Sequence, residues 1–177
     1  ITVITPIFLS SETGKNQGPL FFVASRGHHA DIGGIAPGSM PSNSVSIHEE
    51  GVLIDNFRLV HHGEFQESAL LTLLNSGEYP ARNSEQNIAD LKAQVAANER
   101  GQAELLKMIE QFGLDVVRAY MGHVKDNAEE CVRRAIATLK DSEFSYAMDN
   151  GAEVQVALTV NQQTRSVVVD FSGSSAQ

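Results

Sequence analysis

Between Ser25 and Pro41 the chain reads SRGHHADIGGIAPGSMP, with four glycines and two prolines in 17 residues. That composition forbids a long helix and predicts a tightly folded, irregular loop. Such a loop must find partners for backbone groups that no ladder satisfies, and a bound ion or ligand is one solution. His28, His29 and Asp31 place imidazole and carboxylate within four residues, and His48-Glu49-Glu50 adds more of both. Mixed nitrogen and oxygen donors suit a divalent ion of intermediate hardness, Mn²⁺, Fe²⁺ or Zn²⁺. Neighbours on an extended segment point opposite ways, so one of His28 and His29 can share a centre with Asp31 while the other supports it or meets substrate. A His-rich surface loop without metal explains the spacing equally well. Gly33-Gly34 could cradle an anion with backbone N–H groups, although a tight turn is the commoner use of two glycines.

Other arrangements do not reach a motif. Gly14-Lys15 has no glycine five residues earlier and is followed by Asn16, so it is not a phosphate-binding P-loop. No G-x-S-x-G nucleophile elbow occurs. His61-His62 is expected to be solvated.

The elements that must position the loop follow from periodicity. Residues 1–83 read as a β-rich segment: Ile1, Val3 and Ile7 face Leu20-Phe21-Phe22-Val23 across a polar turn from Ser10 to Gly18. Asn43 to Val60 mixes β-branched residues with short breaks, and a short helix is predicted from Phe65 to Leu74. Residues 84–140 read as a long helical hairpin burying two apolar faces. Asn83 and Ser84 are its N-cap candidates, Gln86 standing three after Asn83 as in a capping box, the weak point lies around Asn98 to Gly101, and Gly113 is placed to end the first helix. The second helix, Asp115 to Lys140, carries a stripe of Val117, Tyr120, Met121, Val124, Cys131 and Val132, on which Cys131 reads as a small core residue. Residues 141–177 read as a β-meander, with a hairpin turn at Asp149-Asn150-Gly151. The fold class is therefore α+β.

Composition narrows the function. Thirteen Lys+Arg against 22 Asp+Glu leave a formal charge of −9. An acidic chain of pI near 5.0 is a poor partner for nucleic acid or an anionic membrane. A single cysteine excludes an internal disulfide and a thiolate metal site. No apolar run is long enough to cross a bilayer, and a cytoplasmic protein is expected. The opening ITVITPIF and the close VVVDFSGSSAQ lie in strand-like pattern, which predicts an interior piece of a longer polypeptide.

The strings VASRGHHADIGGIAPGSMP and IHEEGVLIDNFRLV resemble the signature of the hydantoinase B/5-oxoprolinase family. NIADLKAQVAANERG and FGLDVVRAYMGHV resemble the helical section that follows in that family, and VVVDFSGSSAQ its next β segment. The likeness covers nearly the whole chain and is nearest to the ATP-dependent 5-oxoprolinase group. It implies a hydrolase that opens 5-oxo-L-proline to L-glutamate, with ATP bound by a companion hydantoinase A-type subunit or domain and not by this chain. It further implies a divalent metal held by His28 or His29, Asp31, and a third ligand from His48 or Glu50. Relatives often differ at His48, which makes Glu50 the firmer third choice. On that basis Asp31, His29 and Glu50 are the catalytic candidates, and Arg26, Gly33 and Gly34 the substrate contacts. The whole enzyme is expected to be an oligomer acting on a small cyclic amide. A hydantoin or N-methylhydantoin is the alternative substrate, and a non-catalytic scaffold docking the A portion is the alternative of another class.

Overall fold

A computed structural model describes residues 1–8 and 18–176. The expected turn from Ser10 to Gly18 and the Gly14-Lys15 pair lie almost wholly outside the described residues. The chain divides into two compact units, Ile1–Lys107 and Met108–Gln177.

In the first unit, β1 (Thr2–Ile7) and β2 (Phe21–Arg26) form an antiparallel ribbon in which Thr2 pairs with Arg26 and Ile7 with Phe21. Alternation puts Val3, Thr5, Ile7, Phe21, Val23 and Ser25 inward, while Ile4 and Phe22 are exposed. The stretch Asn43 to Val60, expected to be strand-like, is instead largely irregular. It holds only a single helical turn, α1 (Ile47–Glu50), capped by Ser46, whose hydroxyl accepts the His48 N–H. The apolar residues at its end serve packing instead: Ile54, Phe57 and Leu59 lie against the core. A minimal hairpin, β3 (Val60–His61) with β4 (Glu64–Phe65), leads into α2 (Glu67–Leu74). His61 and His62 are exposed, as expected.

Helix α3 (Ser84–Phe112) completes this unit with its residues up to Lys107. Asn83 caps it by accepting the Gln86 N–H. The Gln86 side chain donates to Asp90 instead of returning to the cap, so the box is only half made. Leu70, Leu74, Ala81, Ile88 and Leu91 form the buried core, with Val3, Phe57 and Leu59 packed on it.

The weak helical pattern at Asn98 to Gly101 has a physical reason. Asn98 is 1% exposed, and its amide N–H₂ donates to the Val3 carbonyl and the Thr5 hydroxyl at 3.1 Å each. Three residues on, a Cβ at Gly101 would stand 2.9 Å from Val23 Cγ1. The helix approaches the ribbon too closely here for any side chain, and Asn98 satisfies ribbon acceptors.

The second unit contains α4 (Leu114–Ile136) and the antiparallel sheet β5 (Ser142–Ala147), β6 (Glu153–Asn161) and β7 (Ser166–Asp170), in the order β5-β6-β7. The meander and its turn are as expected, Gly151 adopting φ 85°. Arg165, in the β6–β7 turn, grips the Glu130 carboxylate of α4 with two bonds of 2.9 Å. With Arg134 also bonded, these guanidiniums hold the Glu130 carboxyl down at about 2.

The stripe on α4 differs from expectation. Only Val117 is buried, whereas Tyr120, Val124 and Val132 are more than half exposed and Cys131 is exposed too. Amphipathic spacing made the helix, but nothing among the described residues covers that face.

Replacing Asn98 with Ala removes two bonds, to the Val3 carbonyl and the Thr5 hydroxyl, and is expected to cost about 1–3 kcal/mol. Urea unfolding of the 177-residue chain should show a lower midpoint at an unchanged slope. An unaltered midpoint would mean that α3 is held to the ribbon without this contact.

Candidate functional site

The segment after β2 continues the strand alternation beyond the last ladder pair. Arg26 and His28 are exposed, while Gly27 and His29 face inward. This agrees with the expectation that the two histidines point opposite ways, and it separates their roles. The His29 side chain is 3% exposed. Its Nε2 lies 3.2 Å from Gln94 Oε1 and its Nδ1 3.3 Å from Asn87 Nδ2, with Asp90 Oδ2 3.8 Å away. Both ring nitrogens are engaged by α3, so the catalytic role expected of His29 finds no path to a substrate. His28 and Arg26 form no hydrogen bond through their side chains among the described residues.

Asp31 organises the loop. Its Oδ1 accepts the Gly33 N–H at 2.8 Å and the Arg82 N–H at 3.3 Å. Its Oδ2 accepts the Gly38 N–H at 2.9 Å and the Arg82 guanidinium at 2.8 Å. A carboxylate offers about four acceptor positions, and all are used. Burial pushes the carboxyl upward, but the N–H groups of Gly33, Gly38 and Arg82 together with the Arg82 guanidinium outweigh it and leave the group below its usual range. A depressed carboxyl is a weaker general base, and an ion at Asp31 would have to displace one of these donors.

Arg82 does more than pair with Asp31. Its guanidinium also donates to the carbonyls of Gly34 at 2.6 Å and Ala36 at 3.3 Å. Ser39 closes the loop from within, its hydroxyl accepting the Ile32 N–H and donating to the Gly33 carbonyl. Backbone bonds then pin the loop on two sides, Gly34 N–H to Tyr79 carbonyl, Ile35 N–H to Glu49 carbonyl and Val52 N–H to Ile32 carbonyl.

The two central glycines are explained by this pinning. Both sit at φ 95°. A Cβ on Gly33 would collide with the Tyr79 carbonyl oxygen, and one on Gly34 would stand 2.7 Å from the Glu50 carbonyl oxygen. Their N–H groups go to Asp31 and Tyr79, so neither is free for the substrate carboxylate they were expected to hold. Left-handed backbone and close approach, not anion binding, account for the pair.

Glu50 and His48 lie apart. Glu50 accepts a bond from Ser44 Oγ at 3.0 Å and lines an open cleft of about 730 Å³ with Ile32, Ser39 and Asp55. His48, exposed on α1, lines a different cleft with Glu49 and Tyr79. No three His, Cys, Asp or Glu side chains converge among the described residues. With Asp31 saturated as well, the donors as placed do not close around a divalent ion. Arg82, Asn87 and Gln94 escaped the sequence reading because they look like ordinary polar residues before or within a helix. Gln94 and Asn98 do fall in phase with Leu91 at helical spacing, which is the signal that could have marked them as inward-facing.

The hydantoinase B/oxoprolinase family matches residues 1–177. The chain belongs to that family. Among its relatives, the 5-oxoprolinase of Dictyostelium discoideum is 41% identical over all of this chain, which spans 14% of that protein. 5-Oxoprolinase 1 of Arabidopsis thaliana is 40% identical, again over the whole chain and 15% of its own length. Caprolactamase subunit beta of Pseudomonas jessenii is 28% identical over 79% of this chain and 22% of its own. The crystal structure of the ATP-dependent caprolactamase from the same organism superposes with a TM-score of 0.69 at 24% identity, over 95% of this chain and 28% of that one. The family's fold is thus present here. No helix among the described residues is long and apolar enough to cross a membrane.

The depressed carboxyl of Asp31 has a consequence for stability. Its contribution is complete above the ordinary value of 3.8 and is lost as pH falls through the lower folded value. Asp31→Asn should therefore cost roughly 1–3 kcal/mol at neutral pH. The gap to the parent chain should close on acidification below that ordinary value, followed by urea unfolding across pH. A gap independent of pH would show that the carboxylate's charge is not what holds the loop.

Proposed function

We propose that this chain is a segment of the ring-opening portion of an ATP-dependent cyclic-amide hydrolase whose substrate is 5-oxo-L-proline. The observation that carries this is whole-chain similarity to 5-oxoprolinases at about 40% identity, together with an outward-facing Arg26 and His28 on a loop held rigid behind them. In the reaction, ATP phosphorylates the lactam oxygen in a companion hydantoinase A-type portion. Water then adds to the activated ring carbon, and the ring C–N bond breaks as the nitrogen takes a proton to become the amine. The acyl phosphate so formed is hydrolysed by a second water to phosphate and the side-chain carboxylate of L-glutamate.

The residues here serve the second half. Arg26 grips the substrate carboxylate through a two-pronged guanidinium contact. His28, the exposed member of the pair, accepts a proton from the attacking water and returns it to the leaving nitrogen, a role worth about 10²–10⁴ in rate. A divalent ion belongs to this proposal only with at least one ligand from outside the described residues, beside His28 and a rearranged Asp31.

The test uses the whole natural polypeptide with its A-type partner. ATP-dependent glutamate release from 5-oxoproline is expected, with hydantoins turned over more slowly. His28→Ala should lower kcat by about 10²-fold or more, whereas Arg26→Ala should chiefly raise KM for the cyclic amide. Metal content measured beside His28→Ala tells whether an ion depends on that imidazole. Full turnover in both variants would overturn the assignment of this face.

One observation favours an additional docking role, since Val116, Tyr120 and Val124 expose a continuous apolar stripe on α4. The caprolactamase relative is named as a beta subunit, which supports assembly from more than one component. A Tyr120→Glu, Val124→Glu double variant should weaken co-purification with the A-type portion and leave loop-dependent metal content and folding alone. Unchanged assembly would remove the docking role.

A further inference from the structure

We infer that Gln94 and Asn87 of α3 are positioning residues, which act through the buried His29 ring to keep Arg26 and His28 facing outward. The inference rests on the reading that this outward face meets the cyclic amide.

The hydrogen-bond pattern assigns every atom. Gln94 Nε2 donates to the carbonyls of Ile1 at 3.3 Å and Ser25 at 3.1 Å, which leaves Oε1 as the atom facing His29. A carbonyl oxygen requires a donor opposite it, so His29 carries its proton on Nε2 and, when neutral, a lone pair on Nδ1. Asn87 Nδ2 donates to that lone pair and to the Asp31 carbonyl at 2.9 Å. Turning the Asn87 amide over would set oxygen against oxygen at Asp31, so its orientation is determined as well. Asn87 is 2% exposed, and its Oδ1 has no partner among the described residues. An amide kept buried with half its capacity unused is kept for the contact it does make.

The need for such a device lies in the sequence itself. Residues 28 and 29 are both histidine, and a strand slipped by one residue exchanges the two faces. Local chemistry cannot tell which imidazole belongs inside. The strand alternation that turns Ser25 inward brings residue 29 to α3, and the paired amides, an acceptor and a donor at fixed positions, hold the ring that arrives there. Ser25 Oγ, donating to the Gln94 carbonyl at 3.2 Å, ties the strand to the same helical turn. The surrounding charged groups do not substitute for this contact: Asp90 stands 3.8 Å from Nδ1, beyond hydrogen-bond reach.

The experiment uses the whole polypeptide with its A-type partner and compares Gln94→Leu, His29→Ala and His29→Gln. The glutamine at 29 keeps an N–H near the place of Nε2–H. Two readouts are taken: kcat and KM for the cyclic amide and for ATP separately, and the rate of tryptic cleavage after Arg26. Gln94→Leu and His29→Ala should lower kcat/KM for the cyclic amide about tenfold or more, leave KM for ATP within about twofold, and hasten cleavage after Arg26. His29→Gln should recover most of both losses. A Gln94→Leu chain that behaves as the parent in both readouts overturns the inference, as does a His29→Gln chain no better than His29→Ala. Should Gln94→Leu fail to fold, Gln94→Met takes its place and the two His29 variants decide. If the parent opens no cyclic amide with ATP, the functional reading fails, and unequal cleavage rates still establish the positioning contact.

Discussion

The carbonyls of a two-stranded ribbon and of the glycine-rich loop after it have acceptor capacity beyond the ladder, and helix α3 supplies donors to them. Gln94 reaches the carbonyls of Ile1 and Ser25, Asn98 that of Val3, and Asn87 that of Asp31. Each amide is a donor delivered at a helical interval to acceptors spaced along an extended chain. The Ile1 carbonyl already accepts the Gly27 N–H, and Val3 and Ser25 are ladder partners, so the amides add second bonds that tie the helix to the ribbon. The apolar core of Leu70, Leu74, Ile88 and Leu91 brings the helix to the ribbon, but the amides decide the register in which they meet.

The loop obeys the same economy at shorter range. One carboxylate, one guanidinium and one hydroxyl (Asp31, Arg82 and Ser39) absorb donors and acceptors that no ladder serves. Glycines at 33 and 34 let the chain pass against the carbonyls of Tyr79, Glu49 and Glu50. The interior of the loop is thereby spent on holding its own shape. What remains for chemistry is the outward face, with Arg26 and His28, and the cleft that Glu50 borders.

The second unit is built differently. Its sheet and helix are joined through the Glu130–Arg165 pair and through Arg133, which donates to the Thr164 carbonyl. Much of its apolar surface is exposed, including Phe144, Tyr146 and Phe171 on or beside the sheet. Exposed apolar area of this extent is more than an isolated small sheet and helix can cover by themselves. That agrees with a chain spanning 14–15% of the 5-oxoprolinases it resembles.

The residue pattern by itself determined the family, the α+β class, the C-terminal end of α2, the meander with its Asn150-Gly151 turn, and the opposition of His28 and His29. Those features depend on local periodicity, turn chemistry or long matching strings, all of which one strand of text contains. It misjudged Asn43 to Val60, because β-branched residues serve an irregular segment as readily as a strand once both pack on a core. It also took Asp31, His29, Gly33 and Gly34 for groups that meet ligand. Spacing shows which polar groups are near each other and not which are already satisfied by partners such as Arg82 or Gln94, 51 and 65 residues away. Only the tertiary structure decided which histidine faces out, since two identical neighbours are distinguished solely by the register in which β2 pairs with β1 and packs on α3.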